Sequence, residues 1–557
     1  MRPISTLIPL LCVASLHAQP FNWQWSAAAT GDELAPAVLD MVVDPLGNSY
    51  VTGQFWGTAQ WGDLPPMTAV GEYDVFVVKY DNDGTPLWAA QGGGDNSESA
   101  KGITVDAAGN VYITGYFVSP TADFGSTTLS LDGTMDIFCA KLNDAGVWVW
   151  ARHFGSNYNG EEMGEDIVAT PEGSTYVTGS FKYYFPLDAF EDLEGCSQMR
   201  DLFLLHLDSD GEPIWAKNPD CTHDDSYGNS TGQKLVLDGL GNIYVGGKYR
   251  GDTCFFETDT LYNQQLISGQ TYDGLLAKYT LDGEFQWVRG IGGYGYDDVE
   301  ALATDADGNC YVGMHRESQY NLPEFQVPVS GSQGIYRAVL LKTAPDGEFL
   351  WWQRMGNTGY DHSITGLAVD AQADILVSGW FEDRFEIDEL VFGQSDPHYG
   401  LFVARFANDN TVEEVFVSRN DAPRRAACLA LDGANNLYVA GSFGDTLTFP
   451  GTATLDVEDR GSFLARSGDV ETGLSFAPMQ PHGVGAFPVP SSGAFTVQSD
   501  KAFTGLRIVN ALGEVVLQET FSPTALRNVA LQENGVFFYT LLTGTERIAT
   551  GRVVIQR

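Results

Sequence analysis

Acidic residues stand in groups along this sequence, and oxygen-rich groups are what a hard divalent cation takes. Glu161, Glu162 and Glu165 form one group, Asp224 and Asp225 a second, Asp297 and Asp298 a third, and Asp361-His362 a fourth. Each lies in a connection that leads into an apolar strand pattern. If those connections converge, Asp297, Asp298, Glu161, Glu162 and Asp361 are candidate ligands for Ca²⁺. The plainer alternative is solvated loops with turn and capping hydrogen bonds. Asp81-Asn82-Asp83-Gly84 and Asp208-Ser209-Asp210-Gly211 resemble the start of a calcium loop, but the downstream Glu is missing, so they read as tight turns.

Other chemistry is thin. There is no H-E-x-x-H, no G-x-S-x-G, and Gly92-Gly93-Gly94 lacks the Lys-Ser/Thr of a phosphate loop. Histidines are spread singly. No catalytic residue and no organic cofactor is assigned. Paired carboxylates could serve a glycosidase or lyase, which is the alternative to a binding function. The net charge of -43, from 73 acidic and 30 basic residues, repels nucleic-acid backbones and anionic lipid. No stretch has the length of a membrane span.

The acidic connections are set by a repeat. Ile103 to Phe117 reads strand, tight turn, strand: β-branched and aromatic residues flank a D-A-A-G-N turn. Its turn residue recurs as Asp44, Asp106, Thr170, Asp238, Asp305, Asp370 and Asp432. Nine residues later stand Gly53, Gly115, Gly179, Gly247, Met314, Gly379 and Gly441. A third strand ends on Lys79, Lys141, His206, Lys278, Lys342, Arg405 or Arg466. Nine residues on, Trp88, Trp150, Trp215, Trp287 and Trp351 open a fourth; the sixth copy has Glu414, and the seventh has no such strand. Asn22-Trp23-Gln24-Trp25 reads as the missing strand. The expected class is all-β: a seven-bladed β-propeller of four-stranded blades, its last blade closed by the N-terminal strand.

Asp44, Gly47, Asn48, Tyr50, Gly53, Phe55, Asp74, Phe76, Lys79, Gly84 and Trp88 resemble, in order, the bacterial propeller repeat family called SBBP. The resemblance covers about residues 22–466 and implies the fold, with no single activity. The first-to-second and third-to-fourth connections keep their length, whereas the second-to-third and fourth-to-first connections vary. In a four-stranded blade the two variable sets share one face, and loops on a rigid scaffold tend to carry binding residues. The repeated Trp and Tyr residues are assigned to packing between sheets. Non-catalytic binding or adhesion to an extracellular glycan or protein is therefore expected of the variable face.

The chain ends concern address. Arg2, the apolar run Ile8 to Ala14, and Leu16-His17-Ala18 read as a signal peptide over 1–18. Export permits disulfides, and Cys196–Cys221 is the favoured pair; Cys139, Cys310 and Cys428 lie in strand patterns and are expected as buried thiols. The propeller region spans 19–466, a linker 467–483, and a small Ig-like β-sandwich 484–557. That last region resembles the C-terminal sorting domain of type IX secretion cargo of Bacteroidetes-type bacteria, through Pro488, Pro490, Gly493, Gly513, Gly535, Tyr539 and Gly544. The resemblance implies recognition by the type IX machinery and passage to the cell surface or medium.

Overall fold

A computed structural model describes residues 21–468 apart from 32–33, 158–159, 188–191, 196–198, 220–228, 252, 264–270, 293–294, 318–335, 357–360, 383, 388–389, 393–398 and 420–424. Beyond 468 it describes 485–487, 494–510, 515–531, 535–543 and 546–555. The signal-peptide region, Asp224, Asp225, Cys196, Cys221, Pro488, Pro490, Gly493, Gly513 and Gly544 lie outside the described residues. The chain divides into two compact units, Met1–Gly468 and Asp469–Arg557.

All regular structure in the described residues is β. In the first unit they form seven four-stranded antiparallel meanders, sheets 1 to 7. These span 34–94, 98–154, 163–217, 229–291, 297–355, 362–419 and 425–468. Asn22–Gly31 supplies the fourth strand of sheet 7, pairing with Leu455–Gly468 so that Trp25 faces Arg466. Lys79 faces Trp88, and Lys141 faces Trp150, in the same register. The N-terminal strand thus restores the repeat that the seventh copy lacks. Each sheet's first strand packs beside the first strand of the next sheet, and that of sheet 7 packs beside that of sheet 1.

The repeated residues build the joints between sheets. Asp106 Oδ1 accepts hydrogen bonds from Ala108 N and Asn110 N, both at 2.9 Å; Oδ2 accepts them from Asn110 Nδ2 at 2.7 Å and the Tyr112 hydroxyl at 3.0 Å. One carboxylate thereby closes the turn and anchors the next strand. The fourth residue of the turn takes a left-handed backbone at Gly109 (φ 80°), and even Ala373 and Asn435 adopt it in sheets 6 and 7. Lys141 lies 4.9 Å from the Tyr112 ring. Trp88 donates from Nε1 to Asp144 O at 2.9 Å in the third-to-fourth turn of sheet 2. A Cβ on Gly146 of that turn would lie 2.5 Å from the Trp88 ring. Trp25, Trp150 and Trp287 donate in the same way, to Asn82 O, Ser209 O and Pro345 O. These tryptophans join sheets.

The second-to-third connections carry more structure than their variable length implies. Five contain short hairpins among the described residues. Those of sheets 1, 2 and 6 add to the outer strand of the preceding sheet, as where Ala29 pairs with Trp61 and Ala122 with Gly94. An added hairpin covers an edge that would otherwise present unpaired amides.

Cys139, Cys310 and Cys428 are buried free thiols, as expected, and Cys254 is disulfide-bonded. The second unit is a five-stranded antiparallel sheet around Val497, Phe503, Leu506, Ile508, Val529, Tyr539 and Leu541. The sequence reading expects a sandwich of two sheets; the hydrogen bonds instead link all five strands. Ala494–Asn510 pairs on both sides and shifts register between Gln498 and Phe503. Such breaks let one strand turn a corner and serve both layers of a small β unit.

Candidate functional site

The first strands share one irregularity. Each contains a one-residue bulge, between Val38 and Asp40 in sheet 1, Ala100 and Gly102 in sheet 2, and Gly164 and Asp166 in sheet 3. The same break recurs at Gly232/Lys234, Val299/Ala301, Ile364/Gly366 and Ala426/Cys428. A bulge re-aims side chains and tightens the twist. The repeated glycine faces it: a Cβ on Gly53 would lie 1.9 Å from Ala37 O, and one on Gly115 the same distance from Ser99 O. The glycine rule therefore follows from close backbone approach.

The bulges bring charged residues to a common centre. A cavity of about 200 Å³ is lined from all seven first strands and includes Asp40, Asp166, Lys234, Glu300, Thr365 and Cys428. Burial pushes Asp40 up to about 6, against the pull of Lys234 and a hydrogen bond from Ile103 N at 3.0 Å. Burial also raises Asp166, which accepts from Leu235 N at 2.8 Å. Burial works against the charge on Lys234, but Asp166 and Asp40 outweigh it and hold the ammonium above its ordinary value. Asp40 and Asp166 thus tie neighbouring first strands together while sharing one cation.

Around this centre the acids meet basic partners. Glu165 is raised by burial and opposed by Lys101, Lys234, Lys248 and Arg200. Burial acts to raise Glu300 as well, but His315 and Ser363 bring it below the usual carboxylate value. His315 Nδ1 lies 3.6 Å from Glu300, and the Ser363 hydroxyl donates to the same carboxylate. Lys248 and Arg250 lie 5.4 and 5.8 Å from the Tyr272 ring.

The five residues proposed from sequence as a cation cage are put to separate uses. Asp298 pairs with Lys248 at 3.0 Å, and Glu161 with Arg200 at 2.9 Å. Glu162 and Asp297 occupy the repeat position of Glu98, three residues before the bulge, and all three are fully buried. Glu98 accepts from Gly94 N and Ser119 N, so this position holds connections in place. Burial pushes Glu162 up to about 8, opposed by a hydrogen bond from Ser156. Asp361 precedes the first strand of sheet 6, where its carbonyl accepts from Glu382 N at 2.9 Å. Among the described residues these five form no cluster with three converging ligand atoms. Sequence reasoning missed Asp40, Asp166 and Lys234. The available signal was a charge inside an apolar strand, as in A-V-L-D-M-V-V.

In the second unit, Gly535 opens a strand and Tyr539 is buried in the core. Residues 485–556 match the family model of the secretion system C-terminal sorting domain. That C-terminal sorting domain marks the chain for export by type IX secretion. Such cargo is carried to the cell surface or extracellular space and is recognised by the type IX machinery. Among the described residues no helix is long and apolar enough to cross a membrane.

The chain also has distant relatives. An uncharacterized WD repeat-containing protein of Acanthamoeba polyphaga mimivirus is 23% identical over 456 residues, covering 68% of this chain and 32% of its own. The regulatory protein FlaEY of Caulobacter vibrioides is 25% identical over 352 residues, covering 59% and 35%. The chain spans about a third of the length of these curated relatives. A solved ulvan lyase of polysaccharide lyase family 25 is 11% identical over 79% of this chain and 96% of that one, with a TM-score of 0.42.

Proposed function

We propose that the first unit is a seven-bladed β-propeller of the SBBP-like kind, and that this secreted or surface-held scaffold binds an extracellular glycan or protein without catalysis. The cyclic neighbour relation of the seven first strands, with Asn22–Gly31 completing sheet 7, supports the architecture. One observation carries the binding reading. In a chain with 30 basic residues, Lys101, Arg200, Lys234 and Lys248 gather around Glu165, beside Asp298, Glu300 and the Tyr272 ring. Alternating charges next to an aromatic face suit a polar, ring-bearing ligand such as a saccharide.

A glycan array probed with the secreted chain, followed by product analysis on any hit, tests this reading. Binding without released product is expected, weakened by Lys248→Ala. No binding to any glycan or co-secreted protein would overturn it. A second reading, a polysaccharide-acting enzyme, has one observation in its favour: two carboxylates line one cavity with Asp40 raised and Glu300 lowered. Product release lost in Asp40→Asn, with binding retained, would decide for it.

A further inference from the structure

Sheets 1 and 2 share a backbone plan at their outer edges but differ in side chains. In sheet 1, Asp74 opens the third strand and is fully buried. Its Oδ2 accepts from Val70 N at 3.0 Å and from the Gln91 amide at 2.5 Å. The 121–130 hairpin then docks on the adjoining fourth strand, with Asp123 opposite Gly93. The groups that hydrogen-bond Asp74 are neutral, and the buried Glu98 interacts with it electrostatically.

In sheet 2 the corresponding carboxylate is Asp136, also fully buried, which accepts from Asp132 N at 2.8 Å. Val70 is replaced by Asp132, and Gln91 by His153, each at the same repeat position. His153 Nε2 lies 3.2 Å from Asp132 Oδ2. Ligand atoms of Asp132, Asp136 and His153 all lie within 4.8 Å of one another. The next hairpin, Tyr184–Phe185 with Leu193–Glu194, pairs only with itself among the described residues. Among the described residues no strand pairs with the outer edge of the sheet 2 fourth strand there, though Phe185 packs on Phe154, and a cavity of about 650 Å³ borders Asp132, His153, Ser156 and Tyr184.

A second buried carboxylate lies behind this group. Glu162 is fully buried, accepts from Ser156 Oγ at 3.0 Å on Oε1, and interacts electrostatically with Asp136. Its Oε2 finds no hydrogen-bond partner among the described residues. Two buried carboxylates side by side are accommodated by protonating one of them or by placing positive charge beside them. Imidazole together with carboxylate oxygens is a donor set for Zn²⁺ and its transition-metal neighbours, whereas Ca²⁺ takes oxygens alone.

We propose that Asp132, Asp136 and His153 form a site for a divalent transition metal of the Zn²⁺ type, at the outer edge of sheet 2. The cavity leaves room for a water or ligand atom in the fourth coordination position.

The test is calorimetric titration of the chelator-treated full chain with Zn²⁺, in excess Ca²⁺ to occupy weak acidic sites. One equivalent should bind. His153→Gln and Asp132→Val copy the residues that sheet 1 already carries, so the metal-free variants should unfold near the wild-type temperature. Each should weaken Zn²⁺ binding roughly tenfold or more. Absence of stoichiometric binding, or equal binding by both variants, would overturn the proposal. Complete displacement by Ca²⁺ would overturn it too, because it would mean an oxygen-only site.

Discussion

Asp40 is the residue whose behaviour most directly reports the first unit's centre. Burial raises its pKa to about 6, from an ordinary value of 3.8. A raised carboxylate binds its proton more tightly when folded, so its ionisation opposes folding. Its penalty is absent below about pH 4, grows as pH climbs toward 6, and is constant above. In Asp40→Asn that slope should flatten, recovering on the order of 2 kcal/mol at pH 7 relative to the change at pH 4. Denaturant titrations of both proteins at the two pH values check this. A parallel pair of pH profiles would mean that Asp40 is charged at little cost, with Lys234 fully neutralising it. The turn residue Asp305 differs in kind. Burial acts to raise Asp305, but hydrogen bonds from Asn309 and the nearby Lys342 bring it below its ordinary value, so its contribution is lost as pH falls.

Among the elements, the N-terminal strand has the most consequence for its size. Asn22–Gly31 pairs with Leu455–Gly468 on one side and with the Thr58–Trp61 strand on the other. Trp25 then reaches the third-to-fourth turn of sheet 1 through Asn82 O at 2.8 Å. Removing residues 22–31 exposes the Ser462–Gly468 edge and the joint beside it. The truncated first unit should lose a single cooperative transition and associate through that edge, which light scattering with thermal unfolding would register. A monomeric truncation with unchanged unfolding would show that the strand is dispensable. The hairpins of sheets 2 and 6 act similarly at other edges, whereas the one beside sheet 2 packs Phe185 against Phe154 without pairing to that strand among the described residues, and borders the cavity at His153.

At the scale of the whole molecule, the acidic surface and the sorting domain both serve a protein that works outside the cell. Charge of one sign keeps such a chain apart from its copies. Deleting residues 485–556 should stop passage through the outer membrane, so that the first unit collects in the periplasm. Cell fractionation measures the distribution, and undiminished surface or medium levels would contradict a sorting role for that segment.

The sequence by itself determined the β class, the repeat, the joints and the address. Asp106, Gly109, Tyr112, Lys141 and Trp150 meet through turns, register pairs and one neighbouring sheet. Constraints that recur in every copy leave periodic traces. The need for glycine opposite the bulge was visible at Gly53 and Gly115 for the same reason. Tertiary structure alone decided the candidate sites. Asp40, Asp166 and Lys234 hold one repeat position, just after the bulge in three different sheets, but the other copies carry Gly102, Ala301, Gly366 and Cys428 there, so the charge itself does not recur; the acids before the strands were drawn to Arg200, Lys248 and backbone amides. Whether a hairpin pairs with an edge, as at Ala122, or only packs beside it, as near His153, depends on packing between sheets. Repetition records what each copy must do for its neighbour, and convergence of unlike residues at a centre or an outer edge leaves no such record.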